Sequence, residues 1–284
     1  MIAAVLAAGL ALLAPARDVS GAQPTTSRGF DRLPGFAAIV SAHAETSLGP
    51  DALPVGSGTA LEPGLFVTIG PERVWAFDFE IATMTGGAFA EQGGAPECAG
   101  HCPSSLFTAM RALWLSLAID STQHTVEIPA RLAVLAHRNV LARTMLQVVY
   151  AAAASRPVRP PDLALVVAVG GGRGLQSQPF HVLPPEGLVL RQGSAALGLR
   201  VEFGRNRYLI DAADERYVQE GSVPDLARLQ AVLAAVKKRH PGKEAIILEP
   251  DSTVTIADLV AVIAAVRADF PRIVLSLGQD VDLP

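Results

Sequence analysis

Cysteine is nearly missing from this chain, with two in 284 residues, so no disulfide framework of the kind that staples small secreted scaffolds holds it together. Lysine is almost as scarce, because nearly all of the 23 basic residues are arginine. They stand against 27 acids for a net charge of −4, and neither half of the sequence is basic, which excludes a nucleic-acid groove. Aromatic residues reach only 5% and charged residues 18%. After residue 60, Arg, Pro or acidic residues interrupt every apolar run before it attains the length of a membrane span. What the chain does hold is Ala and aliphatic side chains. Half of it counts as hydrophobic and the mean hydropathy is +0.35, enough to bury cores and to exclude wholesale disorder.

The length suits two modest domains better than one large one. Residues 1–16 form one apolar run closed by Ala14-Pro15-Ala16, the shape of a signal peptide with an A-x-A-like cleavage site. No Lys or Arg precedes Arg17, and sixteen residues rise only about 24 Å against a hydrocarbon core of ~30 Å, so the alternative is a truncated membrane anchor. The expectation is an exported, periplasmic protein, anchored in the inner membrane if translation starts upstream. Residues 17–60, rich in Gly, Pro, Ser and Thr, are expected to be a flexible linker.

The remainder repeats. Gly64 to Trp75 aligns without a gap on Gly198 to Leu209, with Gly, Leu, Val, Gly and Arg at the same offsets. Each copy reads as a β-hairpin. Leu135 to Leu141 then matches Leu248 to Thr255 with one residue of slack, and both run into an amphipathic helix. Thr255 and Asp258 spell a capping box in the second copy, and apolar runs at 163–169 and 273–277 read as buried strands. Ahead of these, Ser105 opens a helix with Phe107, Met110, Leu113, Trp114 and Leu117 inward, and Ser222 caps its counterpart with Leu226, Leu229, Leu233 and Val236. The predicted fold class is α+β: two tandem two-layer ββαβαβ modules, at 61–172 and 197–284, each with two helices on one face of a small mixed sheet. The Gly- and Pro-rich stretch 173–196 is expected to be a linker with short extended pieces at most.

This order, with Val254 to Ile263 following Ile247-Leu248-Glu249-Pro250-Asp251, resembles the periplasmic domain of the ExbD/TolR biopolymer-transport family. Leu53-Pro54 resembles the Leu-Pro element that the family carries ahead of that domain. The resemblance covers about 61–172 and 197–279. It implies a non-catalytic envelope protein, an accessory of a transport system coupled to the proton motive force. Its implied partners are an ExbB/TolQ-like proton channel or a TonB/TolA-like protein, peptidoglycan, and a second copy of itself, with no cofactor. Leu53, Pro54, Asp251, Thr255 and Leu275 are the residues expected at partner contacts, Leu275 through strand pairing at a sheet edge. Two departures stand out: residues 1–16 contain no intramembrane acid, and the acidic turn of the second copy is His137-Arg138-Asn139 in the first.

Cys98-Ala99-Gly100-His101-Cys102 sits in an insertion, Gly86 to Pro103, that the second copy lacks. Two thiolates and one His leave a tetrahedral metal site a ligand short. A local disulfide is the first reading and free thiols the second. The run Gly170 to Gly174 is followed by prolines rather than a helix, so it reads as a connection and not as a phosphate loop. Lys237-Lys238-Arg239-His240 complements the negative end of a helix dipole, and Asp211, Asp214 and Glu215 read as a solvated turn. No nucleophile, base and orienting group are expected to assemble, so no enzyme is predicted. The rival reading is a secreted ligand-binding or enzymatic protein that uses the Cys-containing loop 86–103.

Overall fold

The computed structural model describes residues 35–91, 93–124, 130–156, 161–170, 174–189, 196–204, 207–212, 215–220, 226–279 and 281–282. In chain order they form α1 (Phe36–Leu48), β1 (Thr59–Ala60), β2 (Leu65–Ile69), β3 (Arg73–Ala76), β4 (Phe79–Thr83), α2 (Ser104–His124) and β5 (Arg131–Ala136). Then come α3 (Ala142–Ser155), β6 (Asp162–Ala168), β7 (Leu175–Val182), β8 (Leu188–Val189), β9 (Ala196–Phe203), β10 (Arg207–Ala212) and β11 (Glu215–Glu220). The last are α4 (Leu226–Arg239), β12 (Ala245–Pro250), α5 (Ile256–Val266), β13 (Arg272–Leu275) and β14 (Val281–Asp282). The fold is α+β around a mixed sheet.

Along that sheet the order is β11-β10-β9-β12-β13-β7-β6-β5-β2-β3-β4, with β1 beside β7, while β8 and β14 form a separate two-stranded pair. The series β4-β3-β2-β5-β6 and β11-β10-β9-β12-β13 have the same order. In each, two antiparallel pairs lead into two parallel ones. A third strand therefore precedes the first helix of each half, where the repeat predicted two. Backbone register also removes the slack in the sequence match. Val67 pairs with Val134 where Val201 pairs with Leu248, and Ile69 pairs with Ala136 where Phe203 pairs with Pro250. His137 thus stands in the place of Asp251, and Leu135 in that of Glu249.

Alternation divides the sheet into two faces. Leu65, Val67, Ile69, Val134, Leu165, Val201, Leu248 and Leu275 join α2, α3, α4 and α5 in one continuous core spanning both halves. Phe66, Ala133, Leu135 and Val166 point the other way and pack with Phe36, Val40 and Ala44 of α1. β5 is covered on both faces, which is why it reads as an unbroken apolar run. Of the inward residues predicted for α2 and α4, Leu113 and Leu226 are half-buried and the others are buried. Ser222 lies outside the described residues.

Two stretches expected to be linkers hold regular structure. In 17–60, the i, i+4, i+8 spacing of Phe36, Val40 and Ala44 gives a helix one buried stripe before Gly49-Pro50 stops it. Residues 17–34 lie outside the described residues, as does the run 1–16. In 173–196, β7 fills eight residues and joins the two halves into a single sheet: β6 lies on one side, and β1 and then β13 on the other. Pro179, an apparent strand breaker, falls between the residues paired with β1 and those paired with β13, where no ladder bond needs its missing N–H. Its carbonyl accepts from Arg267 Nη2 at 3.0 Å.

Leu275 does not lie at a sheet edge. β13 is bonded to β12 on one side and β7 on the other, and the side chain is 0% exposed. Among the described residues, the strands paired on one side only at the ends of the order are β4 and β11. Leu275→Ala is therefore expected to cost about 2–5 kcal/mol, and Leu275→Pro to abolish the cooperative unfolding transition by breaking an interior ladder. Urea titration followed by circular dichroism checks both; a folded Leu275→Pro with altered association alone would contradict the interior placement.

Candidate functional site

The two halves meet where α3 and α5 begin. A helix start leaves its first four N–H groups without partners inside the helix, and here each half supplies part of what the other lacks. Ala142 N–H donates to Val254 O at 2.9 Å and Ile256 N–H to Val140 O at 2.8 Å, closing an antiparallel bridge between Leu141 and Thr255. These are equivalent residues making reciprocal bonds, the pattern produced by a local two-fold axis. Ala257 N–H adds a bond to Arg138 O at 3.0 Å. Thr255 and Asp258 complete the capping box read from the sequence.

The turns entering this bridge are built alike from different chemistry. Asp251 N–H donates to Phe203 O and His137 N–H to Ile69 O, both at 2.8 Å. Asp251 Oδ1 accepts from Thr253 N–H at 2.7 Å, and His137 Nδ1 from Asn139 N–H at 3.1 Å. Gly204 keeps room for the carboxylate, since a Cβ there would clash with Asp251 Oδ2. An acceptor that carries charge in the second half is thus an imidazole nitrogen in the first. Burial, with the Arg138 charge adding to it, holds the His137 ring below the ordinary histidine value.

Beside the bridge, a buried polar network ties α3 to the turn after β13. Tyr150 O–H donates to Leu183 O at 2.8 Å and accepts from Gln279 Nε2 at 2.7 Å. Gln279 Oε1 accepts from Ser276 Oγ at 2.9 Å and from Leu277 N–H at 2.8 Å, and Gln279 O accepts from Arg200 Nη2 at 2.7 Å. Arg200 Nη1 also pairs with Glu249 Oε2 at 3.4 Å. Burial pushes the Tyr150 phenol above its usual range, opposed by the Gln279 hydrogen bond. Burial likewise raises the Glu249 carboxyl, opposed by Arg200 and reinforced by Glu202. The His101 ring centroid lies 5.7 Å from that of Tyr150, and burial lowers its basicity.

The insertion 86–103 serves this framework. Cys98 and Cys102 are joined by a disulfide and are both buried. Glu91 caps α2, accepting from Ser104 N–H at 3.1 Å, Ser105 N–H at 3.0 Å and Ser105 Oγ at 2.6 Å. The Ser105 hydroxyl, more than any other group, holds its carboxyl below the usual range. Among the described residues, no three His, Cys, Asp or Glu side chains come together as a metal site.

Of the residues expected at partner contacts, Leu53 and Pro54 are buried, Leu53 beneath α1, and Pro54 O accepts from Ala168 N–H at 2.9 Å. Asp251 and Thr255 gather at the bridge, and Leu275 is interior. The Gly170 to Gly174 run connects β6 to β7, with Val169 N–H on Gly174 O at 3.1 Å; 171–173 lie outside the described residues. Lys237, Lys238 and Arg239 occupy the last turn of α4. Asp211 pairs in register with Arg216 at the end of a strand, while Asp214 is outside the described residues. One assembly was missed in the sequence: Ser47 Oγ, the His43 ring and Asp78 Oδ1 form a hydrogen-bonded chain, although nothing of the kind was expected. The only hint was an i, i+4 His-Ser pair within a stretch read as linker.

Among the described residues, no helix is long and apolar enough to cross a membrane. No family model, no curated protein and no solved structure matches the chain.

Removing the Tyr150 hydroxyl strands Leu183 O and Gln279 Nε2, so Tyr150→Phe is expected to lower stability by about 1–3 kcal/mol in urea denaturation. For His137, the folded chain favours the neutral ring. Its contribution is whole above the ordinary histidine value near ~6.5 and is lost as pH falls through it, because the unfolded chain takes the proton first. Glu249 runs the other way: its stabilising contribution is present at acid pH and is lost as pH rises from ~4.5 through its raised folded value. His137→Asn, which keeps an acceptor without titrating, is expected to flatten the fall in urea midpoint between about pH 7.5 and 5; an unchanged slope would refute the role given to His137.

Proposed function

We propose that this chain is a non-catalytic, ExbD/TolR-like envelope protein that binds a partner protein or peptidoglycan in the periplasm, as an accessory of biopolymer transport coupled to the proton motive force. The observation that carries this reading is the reciprocal bridge at Leu141 and Thr255. The resemblance implies a periplasmic domain that works as a pair, and this chain brings equivalent residues of two like-ordered halves face to face within one molecule. β4 and β11, each bonded on one side only among the described residues, leave backbone groups for an added strand. The rival use of loop 86–103 as a ligand loop has less support, because its disulfide is buried and Glu91 is engaged as a helix cap.

Cell fractionation followed by sedimentation of the purified full chain with peptidoglycan tests the reading. Recovery in the envelope fraction is expected, together with either co-sedimentation or cross-linking, from a photoreactive residue placed on β4, to an inner-membrane transport subunit. A cytoplasmic protein that does neither would overturn it.

A further inference from the structure

We propose that Ser47 is an activated nucleophile that accepts an acyl group from activated esters, with His43 as its base and Asp78 as the residue that positions the ring. His43 and Ser47 lie one turn apart on α1. Ser47 Oγ is 3.2 Å from His43 Nε2, and His43 Nδ1 is 3.0 Å from Asp78 Oδ1. Those contacts fix the tautomer of the neutral ring. A carboxylate only accepts, so Nδ1 carries the hydrogen; Nε2 of the neutral ring is then an acceptor, and the Ser47 hydroxyl donates to it.

Three features show that this is more than incidental surface bonding. Thr46, Thr108 and Ser116 each spend their hydroxyl on the carbonyl four residues back, the ordinary helical habit, whereas Ser47 turns its own to the imidazole. The His43 side chain is only 9% exposed, its ring centroid 5.0 Å from that of Phe66, and Phe77 stacks edge-on against Phe66 at 5.1 Å. Lastly, Phe77 opens the two-residue turn between β3 and β4 at φ 53, a place that favours glycine. Strain of this sort persists only where the surroundings enforce it, and this turn carries Asp78 to His43.

In the acylation step Ser47 Oγ attacks the ester carbonyl carbon and its proton passes to His43 Nε2, leaving an imidazolium beside the ionised Asp78. The bond from carbonyl carbon to the alcohol oxygen then breaks, and the departing oxygen takes that proton. The products are acyl-Ser47 and a free alcohol, with no further reactant. Asp78 is 89% exposed, so water screens its charge. That confines the reactive substrates to esters with good leaving groups, such as aryl esters.

The test treats the full chain with p-nitrophenyl acetate and maps the modified residue by peptide mass spectrometry. One acetyl group on Ser47 is expected, absent from Ser47→Ala, with labelling at least about tenfold slower in His43→Gln, since a positioned base contributes 10²–10⁴-fold. Asp78→Asn keeps the shape of the turn and the dock of α1 while disturbing the tautomer, so its slower labelling separates the relay from loss of the helix. Labelling of wild-type Ser47 no faster than Thr46, or a rate indifferent to His43→Gln in a folded protein, would overturn the proposal.

Discussion

Two helices start against each other, and most of the molecule follows from how their first N–H groups are satisfied. A buried helix start with open donors costs as much as several lost hydrogen bonds. α3 and α5 meet that cost by exchanging Ala142 N–H to Val254 O for Ile256 N–H to Val140 O. The exchange works only if both turns arrive in mirrored register, which requires Asp251 and His137 to hold their loops in the same shape. It also requires the strands before them to end side by side in equivalent pairings, as they do at Phe203 with Pro250 and Ile69 with Ala136. β7 supplies the remaining condition. By bonding to β6 along one side and β13 along the other, it holds both halves on one sheet, so the bridge closes within the chain.

Equal frames carry unequal surfaces. Register places Phe66 opposite Ala133 in the first half and Arg200 opposite Ile247 in the second, then Thr68 opposite Leu135 and Glu202 opposite Glu249. The apolar set is what α1 covers. The charged set cannot be covered by an apolar helix without stranding ions, and it is met by the turn after β13, where Gln279 O takes a hydrogen bond from Arg200. The ionisable groups with raised or lowered basicity near the junction, Tyr150, Glu249, His101 and His137, are perturbed chiefly by burial.

Periodicity made the repeated core legible in the sequence. Leu229, Leu233 and Val236, or Thr255 with Asp258, are local signals, and local physics decides them. What escaped depends on distant partners. Pro179 argued against a strand, because nothing nearby shows that a gap between β1 and β13 would fall at that residue. Leu275 looked like an edge because its neighbour β7 lay in a stretch read as linker. The composition of 17–60 concealed a helix whose stripe of three residues has meaning only against Phe66, Leu135 and Val166. Of the site residues, Asp251 and Thr255 were legible as a turn and a cap; Tyr150 and Gln279 were not, because 129 positions separate them in sequence.

The Asp78–His43–Ser47 chain extends that contrast. Its parts sit on two segments, one read as linker and the other just beyond the predicted hairpin, and neither is informative alone. Only the docking of α1 on the first half brings His43 over Phe66 and under Asp78. The second half has Arg200 where Phe66 stands, so that position offers charge in place of the aromatic surface His43 rests on. A hydroxyl activated by a neighbouring imidazole thus belongs to one half only. It arises there because the apolar face required a cover, and the helix that covers it carries a histidine and a serine one turn apart.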